Sequence, residues 1–310
     1  MLHLNLTVGE IINKLYELWD VNFNMWPNDS KSSHLEFNLK GFNPNSEEQI
    51  LLVSSLCYVV KSGAWETSYN ALKRMLPDQE FEAVTLEEIK SYFSGEEYLK
   101  DKKTYDEFIK NQRNPFILEL MSHVMLRAIE NKEACNPFSF ELQGIHYMHL
   151  SSKKQGLDLA AIARDSSNEE YYLIIGESKN RKSPSEGTAE ALEAFKKFDK
   201  GNNWPDIRQV MRTVANSFEA PEENLSAAIS KHVLWKQKII YRLTIEHRSQ
   251  RPKSGSQFRE FGNSTPNVPH AQFRQCEAFS TARLDEFYNE VSKRVIRFIE
   301  EKEKELRIHA

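Results

Sequence analysis

Apolar positions in the middle of the chain form two short runs that predict a pair of buried β-strands. The first run, GLDLAAIA, spans 156–163, and the second, YYLIIGESK, spans 171–179. Between them lies Asp-Ser-Ser-Asn at 165–168, a composition that is typical of a turn. Both runs are apolar on both faces, as central strands covered on each side are. The pattern therefore predicts a buried β-hairpin over 156–179.

Charged residues stand at the open end of this predicted hairpin. If the turn centres on Ser167 and Asn168, Asp158 lies nine residues before it and Glu177 nine residues after it. The two carboxylates then face each other across the strand pair, where like charges are destabilising and a bound cation is favoured. Lys179 shares the strand face of Glu177, because side chains at i and i+2 point the same way.

Two carboxylates and a lysine in this arrangement indicate a site for phosphodiester hydrolysis. Mg²⁺ takes oxygen ligands, usually one or two carboxylates, and leaves positions for water and phosphate oxygens. Lys179 would position or deprotonate the attacking water, or stabilise the charge that develops on phosphorus. The alternative is a hairpin end that reaches solvent, where the three residues have no common role. The apolar strands on both sides favour a cleft, and with it the metal site.

An apolar helix is predicted upstream of the hairpin, from Asn114 to Asn131. Asn114 is the predicted N-cap and Pro115 the first helical residue. The apolar positions recur at helical spacing: Phe116, Leu120, Val124 and Ala128, widened by Ile117, Met121, Met125 and Ile129. Glu119 lies within this helix. It is either an acid that stabilises the helix start through the helix dipole, or a further residue of the site.

The motif resembles that of the PD-(D/E)XK nuclease superfamily, with Asp158 in place of its Asp and Glu177-Ser-Lys179 in place of its Glu-x-Lys. The usual Pro before the Asp is absent, and Gly156-Leu157 stands there instead. The resemblance implies an α/β (α+β) fold with a restriction-endonuclease-like core, a mixed sheet flanked by helices. It also implies Mg²⁺ or Mn²⁺ as cofactor, Asp158, Glu177 and Glu119 as metal ligands, and Lys179 as a catalytic residue.

Within that superfamily the chain looks like the HamA-like nucleases of Hachiman-type antiphage defence, over about 111–306. The similarity lies in Glu119-Leu-Met-Ser-His, Gly156-x-Asp158 and Gly176-Glu177-Ser-Lys179. It implies a DNA nuclease that works with a superfamily 2 helicase, a HamB-like subunit. Restriction enzymes carry similar triads, so a restriction-type endonuclease is an alternative. A catalytically silent, nuclease-like adaptor that docks or regulates a partner protein is another.

The charge of the chain limits how it would hold DNA. The formal net charge is −4 and the sequence pI is near 6.2, whereas nucleic-acid-binding domains are usually basic. Contact with DNA is therefore predicted from a local patch or a partner. One candidate patch contains Arg181, Lys182, Lys196 and Lys197, and another is the stretch 247–259 with Arg248, Arg251, Lys253 and Arg259. A solvated charged face is the alternative for each patch.

Other classes of protein are excluded by missing motifs. The three cysteines, Cys57, Cys135 and Cys276, are far apart and fit neither a disulfide framework nor a zinc ribbon, which predicts a reducing compartment. No apolar run approaches the length of a membrane span, so we expect a bacterial cytoplasmic protein without membrane contact. No Walker motif with Gly-Lys-Ser/Thr occurs, so any ATP-driven step would belong to a partner.

The elements divide the chain into a predicted α-rich accessory or partner-docking region at 1–110 and a nuclease domain at 111–310. The first region contains no catalytic constellation. Its helical spacing covers Val8–Trp19, Ser46–Lys61, Tyr69–Leu76 and Leu86–Phe93, with a short alternating strand at Leu35–Leu39. After the hairpin we predict helices at Glu186–Phe198, Asp206–Phe218 and Arg283–Leu306, and strand structure within Val233–Ile245.

Overall fold

The computed structural model describes residues 6–26, 34–62, 86–130, 140–145, 158–181, 183–201, 238–248, 258, 260–261 and 273–308. In this part of the chain a seven-stranded, mixed and curled β-sheet is packed with helices, so the protein is an α/β protein. The predicted mixed sheet flanked by helices is confirmed. None of the described helices combines the length and apolar character that crossing a lipid bilayer requires.

The strands are β1 Val21–Trp26, β2 His34–Leu39, β3 Phe140–Ile145, β4 Leu159–Asp165, β5 Tyr171–Arg181, β6 Ile239–His247 and β7 Arg274–Ser280. The α-helices are α1 Val8–Leu18, α2 Glu47–Lys61, α3 Leu86–Ser94, α4 Lys102–Phe108, α5 Asn114–Leu126, α6 Pro184–Asp199 and α7 Leu284–Ile308. The helices predicted from spacing are thus confirmed, except Tyr69–Leu76 and Asp206–Phe218, which lie outside the described residues. Of the predicted strand segment Val233–Ile245, the part from Ile239 onward lies in β6.

The sheet is parallel in its middle and antiparallel at its edges. Its strand order is β1-β2-β7-β6-β5-β4-β3. Strands β2, β7, β6 and β5 pair in parallel, whereas β1 pairs antiparallel with β2, and β4 pairs antiparallel with both β5 and β3. Helix α6 connects toward the parallel neighbour β6 and packs on β5 and β6. The predicted hairpin is the β4–β5 pair.

The N-terminal region contributes two strands to this same sheet. Strand β2 pairs in parallel with β7, with Leu35 opposite Gln275 and Phe37 opposite Glu277. Helices α2 and α3 of this region pack against α7 at the other end of the chain. The residues on both sides of the predicted boundary near residue 110 therefore contribute strands to one sheet. The region also contains β-strands that the description as α-rich left out, apart from the strand at 35–39.

Helix α5 begins differently from the prediction. Asn114 is not an N-cap, because α4 continues through a π-helical turn, Ile109–Arg113, directly into α5. Pro115 has no N–H, and in a regular helix its ring would meet the carbonyl four residues earlier. The wider π turn immediately before it is a local deviation of the kind that accommodates such a residue. The predicted apolar faces of α5 are buried as expected.

A completely buried arginine joins the centre of the sheet to its neighbours. Arg242 in β6 donates through Nη1 to Gln275 Oε1 at 2.9 Å and through Nη2 to the Met125 carbonyl at 2.7 Å. Its Nη2 also lies 2.8 Å from Glu277 Oε2, and its guanidinium lies 4.5 Å from the centre of the Phe37 ring. Arg242 thus connects β2, β6, β7 and the end of α5.

We expect Arg242→Met to lower the free energy of unfolding by about 3–5 kcal/mol, because it leaves Glu277 buried without its cation. The double variant Arg242→Met/Glu277→Leu should recover part of this loss, since it removes the isolated carboxyl as well. Chemical denaturation of the three proteins measures both effects. If the double variant is no more stable than the single one, the isolated charge is not the cause.

The β4–β5 pair also depends on a glycine. A Cβ atom at Gly176 would lie 2.7 Å from both Leu159 Cβ and Cδ2 on the neighbouring strand. We expect Gly176→Ala to lower the free energy of unfolding by about 1–3 kcal/mol, because the core must shift to admit the methyl group. Gly9→Ala is the matched control: only Thr7 Oγ1, at 4.0 Å, lies near the added atom, and helix propensity predicts stabilisation. Equal stability changes in denaturation of the two variants would contradict the clash.

Candidate active site

The register of the β4–β5 hairpin brings Asp158 and Glu177 to the same place. Leu159 pairs with Gly176 at the open end, and Arg164 pairs with Tyr171 at the turn end. One step beyond the pair of Leu159 and Gly176 lie Asp158 and Glu177. The turn position predicted from the sequence, and the opposition of the two carboxylates that follows from it, match this register.

The turn that determines this register is closed by its own polar groups. The Asp165 N–H donates to the Glu170 carbonyl at 2.8 Å, and the Glu169 N–H donates to the Asp165 carbonyl at 2.8 Å. The Asp165 carboxylate accepts from the Ser167 N–H at 2.9 Å and from its hydroxyl at 2.6 Å. Glu169 adopts a left-handed conformation with φ of 60°. Asp and Ser here act as turn residues through side-chain bonds to the local backbone.

Hydrogen bonds hold the three predicted site residues together at the open end. Asp158 Oδ2 accepts from the Ser178 N–H at 2.9 Å, so its carboxylate caps the backbone ladder where β4 begins. Lys179 Nζ lies 3.4 Å from Asp158 Oδ2 and donates to Glu177 Oε2. Asp158, Glu177 and Lys179 therefore form one cluster, in which the ammonium bridges the two carboxyl groups.

Burial and charge shift the pKa values within this cluster. The Glu177 side chain is only 9% exposed, and burial, together with repulsion from Asp158, raises the pKa of Glu177 to about 7. Burial alone would lower the pKa of Lys179, but attraction to Asp158 and Glu177 outweighs it, and the pKa of the ammonium is raised. A carboxyl group and a lysine perturbed in this way beside one another are common at functional sites.

The donor chemistry of the cluster fits a divalent cation. Two carboxylates face each other, and burial, followed by repulsion from Asp158, raises the pKa of Glu177 although Lys179 acts in the opposite direction. Mg²⁺ is commonly held by one or two carboxylates with water and substrate oxygens in the remaining positions. Within the described residues, no group of three or more His, Cys, Asp or Glu side chains could hold a metal ion. Asp158 and Glu177 would therefore be the protein ligands available here.

Helix α5 meets the site strand from the opposite face of the sheet. Ser178 lies between Glu177 and Lys179 in β5 and points away from them, because side chains alternate along a strand. Its hydroxyl lies 2.8 Å from the hydroxyl of Ser122 in α5, which also donates to the Leu118 carbonyl at 2.9 Å. The residue that presents its N–H to Asp158 is thus anchored to α5.

Glu119 lies in α5 one turn before Ser122 and is buried. Its charge acts on Lys61 and Tyr92, two residues of the N-terminal region. Lys61 Nζ lies 3.5 Å from the centre of the Tyr92 ring and 4.4 Å from that of Phe116. Burial lowers the pKa of Lys61 to about 8, against the attraction of Cys57 and Glu119. The structure thus places Glu119 beside a buried cation, and its part in a metal site stays a prediction.

The first turns of α6 cover the face of β5 that carries Lys179. An added Cβ at Gly187 would lie 3.3 Å from Lys179 Cβ and 3.4 Å from Ile245 Cγ2, so the helix approaches the strand closely at this residue. Glu190, one turn later, is close enough for Lys179 to lower its pKa, after the larger effect of Arg181. Strand β5 and helix α6 together form one wall of the site.

The residues predicted to contact nucleic acid occupy different places. Arg181 ends β5 and is bound by Glu190. Lys196 is paired with Glu193 at 2.9 Å in the last turn of α6. Lys196 and Lys197 lie about 14 Å along the helix axis from Gly187, given a rise of about 1.5 Å per residue. They therefore do not join the triad, and Lys182 lies outside the described residues.

Sequence reasoning missed the acidic partners of the arginines near the site. Glu190 was included only as a position within a helix, and Asp285, the partner of Arg248, is distant in the chain. Asn180, which directly follows Lys179, was not singled out. The helical spacing of Gly187 and Glu190 was a usable signal, whereas nothing local in the sequence connects Arg248 with Asp285.

Comparisons with known proteins did not identify a family for this chain. A scan against models of known protein families found no match for this chain, and a search of curated proteins found no significant match. The resemblance to PD-(D/E)XK nucleases therefore depends on the triad and on the strands that carry it.

We expect a pH-dependent stability difference between the wild-type protein and Glu177→Gln in the presence of EDTA. In the folded protein the pKa of Glu177 is about 7, against 4.5 for an unperturbed glutamate. Between these values the folded state binds more protons than the unfolded state, so the wild type loses unfolding free energy relative to the variant as pH rises from 4.5 to 7. The loss is about 3 kcal/mol at most. Denaturation at a series of pH values measures it, and a constant difference over this window would contradict the raised pKa.

Proposed function

We propose that this protein is a metal-dependent DNA nuclease, and that it serves as the effector subunit of an antiphage defence complex with a helicase partner. The observation that carries the proposal is the meeting of Asp158 and Glu177 at the open end of one hairpin, with Lys179 between them. The same three residues carry the resemblance to PD-(D/E)XK nucleases. The mixed sheet with helices on both faces supports the same assignment.

The chain's own residues suggest how the reaction would proceed. Asp158 and Glu177 would hold Mg²⁺ or Mn²⁺, which when bound supplies Lewis-acid polarisation of the phosphodiester and neutralises developing charge. Asp158 is oriented by the Ser178 N–H, and Glu177 by burial and by Lys179. Lys179 would orient the attacking water or donate to the phosphoryl oxygen on which charge grows.

The helicase partner is proposed because it would supply functions for which this sequence shows no motif or charge. Its sequence has no Walker loop, so it brings no P-loop ATP site of its own. Its net charge of −4 disfavours unaided capture of DNA over long distances. A partner that unwinds and presents DNA would supply both functions. A restriction-type endonuclease is the alternative for the same site.

A catalytically silent adaptor is the second candidate function. It is favoured by the extensive pairing of the positive charges around the site. Lys179 is engaged by both carboxylates, Arg181 by Glu190 and Arg248 by Asp285. A surface with its cations occupied in this way suits a protein-binding role as well as a regulated nuclease.

We expect the wild-type protein to cleave plasmid DNA in Mn²⁺, assayed alone and with ATP and the proposed partner, a superfamily 2 helicase if one is encoded beside its gene. Glu177→Gln and Lys179→Ala should each lower the cleavage rate by about 10²–10⁴-fold, because each removes a group that acts in the transition state. The rate of appearance of nicked and linear DNA is the measurement. Glu119→Gln in the same assay decides whether Glu119 belongs to the site.

The matched control is Glu170→Gln at the other end of the hairpin. Glu170 is also a β5-flanking glutamate paired with a lysine, Lys238, at 2.7 Å, and it should leave the cleavage rate unchanged. Binding is followed separately, since Mn²⁺ should raise the melting temperature of the wild type more than that of Glu177→Gln. Equal cleavage by wild type and Glu177→Gln would discard the site. Absence of cleavage with the helicase and ATP present would favour the adaptor.

A further inference from the structure

Two arginines stand at the edge of the sheet where the site strand ends. Arg181 is the last residue of β5, and Arg248 follows the last residue of β6. The strands are parallel neighbours, with Arg181 opposite His247, so both arginines lie at the same edge. Their side chains are 39% and 35% exposed, which leaves both within reach of a ligand.

Each guanidinium group is held by a carboxylate through two parallel hydrogen bonds. Arg181 donates through Nε to Glu190 Oε1 at 2.6 Å and through Nη2 to Glu190 Oε2. Arg248 donates through Nε to Asp285 Oδ2 at 2.8 Å and through Nη2 to Asp285 Oδ1. This fork geometry is the one that arginine also offers to a phosphate group.

Both guanidinium groups converge on one residue beside the triad. Arg181 Nη1 donates to the Asn180 carbonyl at 2.7 Å, and Arg248 Nη1 donates to Asn180 Oδ1 at 3.3 Å. Asn180 directly follows Lys179 in the chain. Two oriented cationic groups therefore flank the residue next to the proposed catalytic lysine, one on each face of the sheet edge.

We propose that Arg181 and Arg248 form a phosphate clamp for the DNA strand that is cut. The clamp would hold backbone phosphates next to the scissile one, so that the strand crosses the sheet edge over Asn180. Arginine suits this role because its planar group binds phosphate oxygens in pairs and keeps its charge at any working pH. The proposal deepens the proposed nuclease function and depends on it for the identity of the ligand.

Glu190 and Asp285 occupy the donors that the phosphates would take. While they do so, the charges of Arg181 and Arg248 are balanced by the two carboxylates. When phosphate oxygens replace them, the two carboxylates return to water at small cost, since their side chains are already 46% and 58% exposed. The carboxylates thus keep each guanidinium in its orientation and compete with the DNA strand for it.

The test measures binding of fluorescently labelled DNA to the full-length protein in EDTA, where hydrolysis does not occur. Arg181→Gln and Arg248→Gln should each weaken binding about three- to tenfold. Each should also lower the slope of log K against log salt by about 0.7 for a single strand or 0.9 for a duplex. Arg164→Gln is the matched control, because Arg164 is paired with Glu169 at the turn end of the same hairpin and is similarly exposed. It should bind DNA as the wild type does.

A second pair of variants tests the exchange of carboxylate for phosphate. Glu190→Gln should tighten binding about threefold, and the gain should vanish in Arg181→Gln/Glu190→Gln, because no arginine remains to be released. Glu169→Gln removes a comparable charge from the turn end and should change little. A gain that persists without Arg181 would show a general charge effect and would overturn the exchange.

The possible results distinguish failure of the clamp proposal from failure of the nuclease proposal. If both arginine variants bind with the affinity and salt slope of Arg164→Gln, or if the wild type binds no DNA, the clamp is wrong, whatever the cleavage assay shows. If the arginine variants lose binding while wild type cuts no DNA even with the helicase, the two arginines hold DNA phosphates without a strand being cut, and the nuclease proposal fails. Thermal melting of each variant confirms that the compared proteins are folded.

Discussion

The buried charge of Arg242 is the constraint on which the rest of the fold depends. A guanidinium that is completely removed from water must find its partners inside the protein, and here they come from several elements at once. Glu277 and Gln275 of β7, the end of α5 and the Phe37 ring of β2 meet around it. The guanidinium at the centre of the sheet therefore has all its partners only when the N-terminal strands and α5 are in place.

This arrangement connects distant parts of the chain with the candidate site. Strand β6, which carries Arg242, is the parallel neighbour of the strand that carries Glu177 and Lys179. Helix α5 receives the bond from Arg242 at one end and contacts Ser178 near its middle. The N-terminal region, joined through β2 and through the cation of Lys61, belongs to the same packed unit. A partner that binds there would touch elements that also support the site.

The sequence allowed prediction of those parts that local chemistry determines. The hairpin register followed from the turn around Ser167, whose neighbours close it through short-range bonds. Strand β7 was missed because polar residues such as Gln275 and Glu277 normally indicate a solvent-facing segment. Here they are buried, and their partner Arg242 cannot be identified from the local sequence. The N-cap role predicted for Asn114 was wrong because a π turn leads directly into α5, so that no free helix start precedes Pro115. Strand β1 was missed although VNFNMW alternates regularly.

The length of the four-residue loop between Asp165 and Glu170 determines which side chains meet at the far end of the hairpin. Asp158 and Glu177 meet because this loop has one length, and a change of one residue in it would carry every β4 side chain to the other face of the sheet. None of the loop residues touches the site. Variation among related sequences should therefore tolerate exchange of residues in this loop while resisting odd-numbered changes in its length.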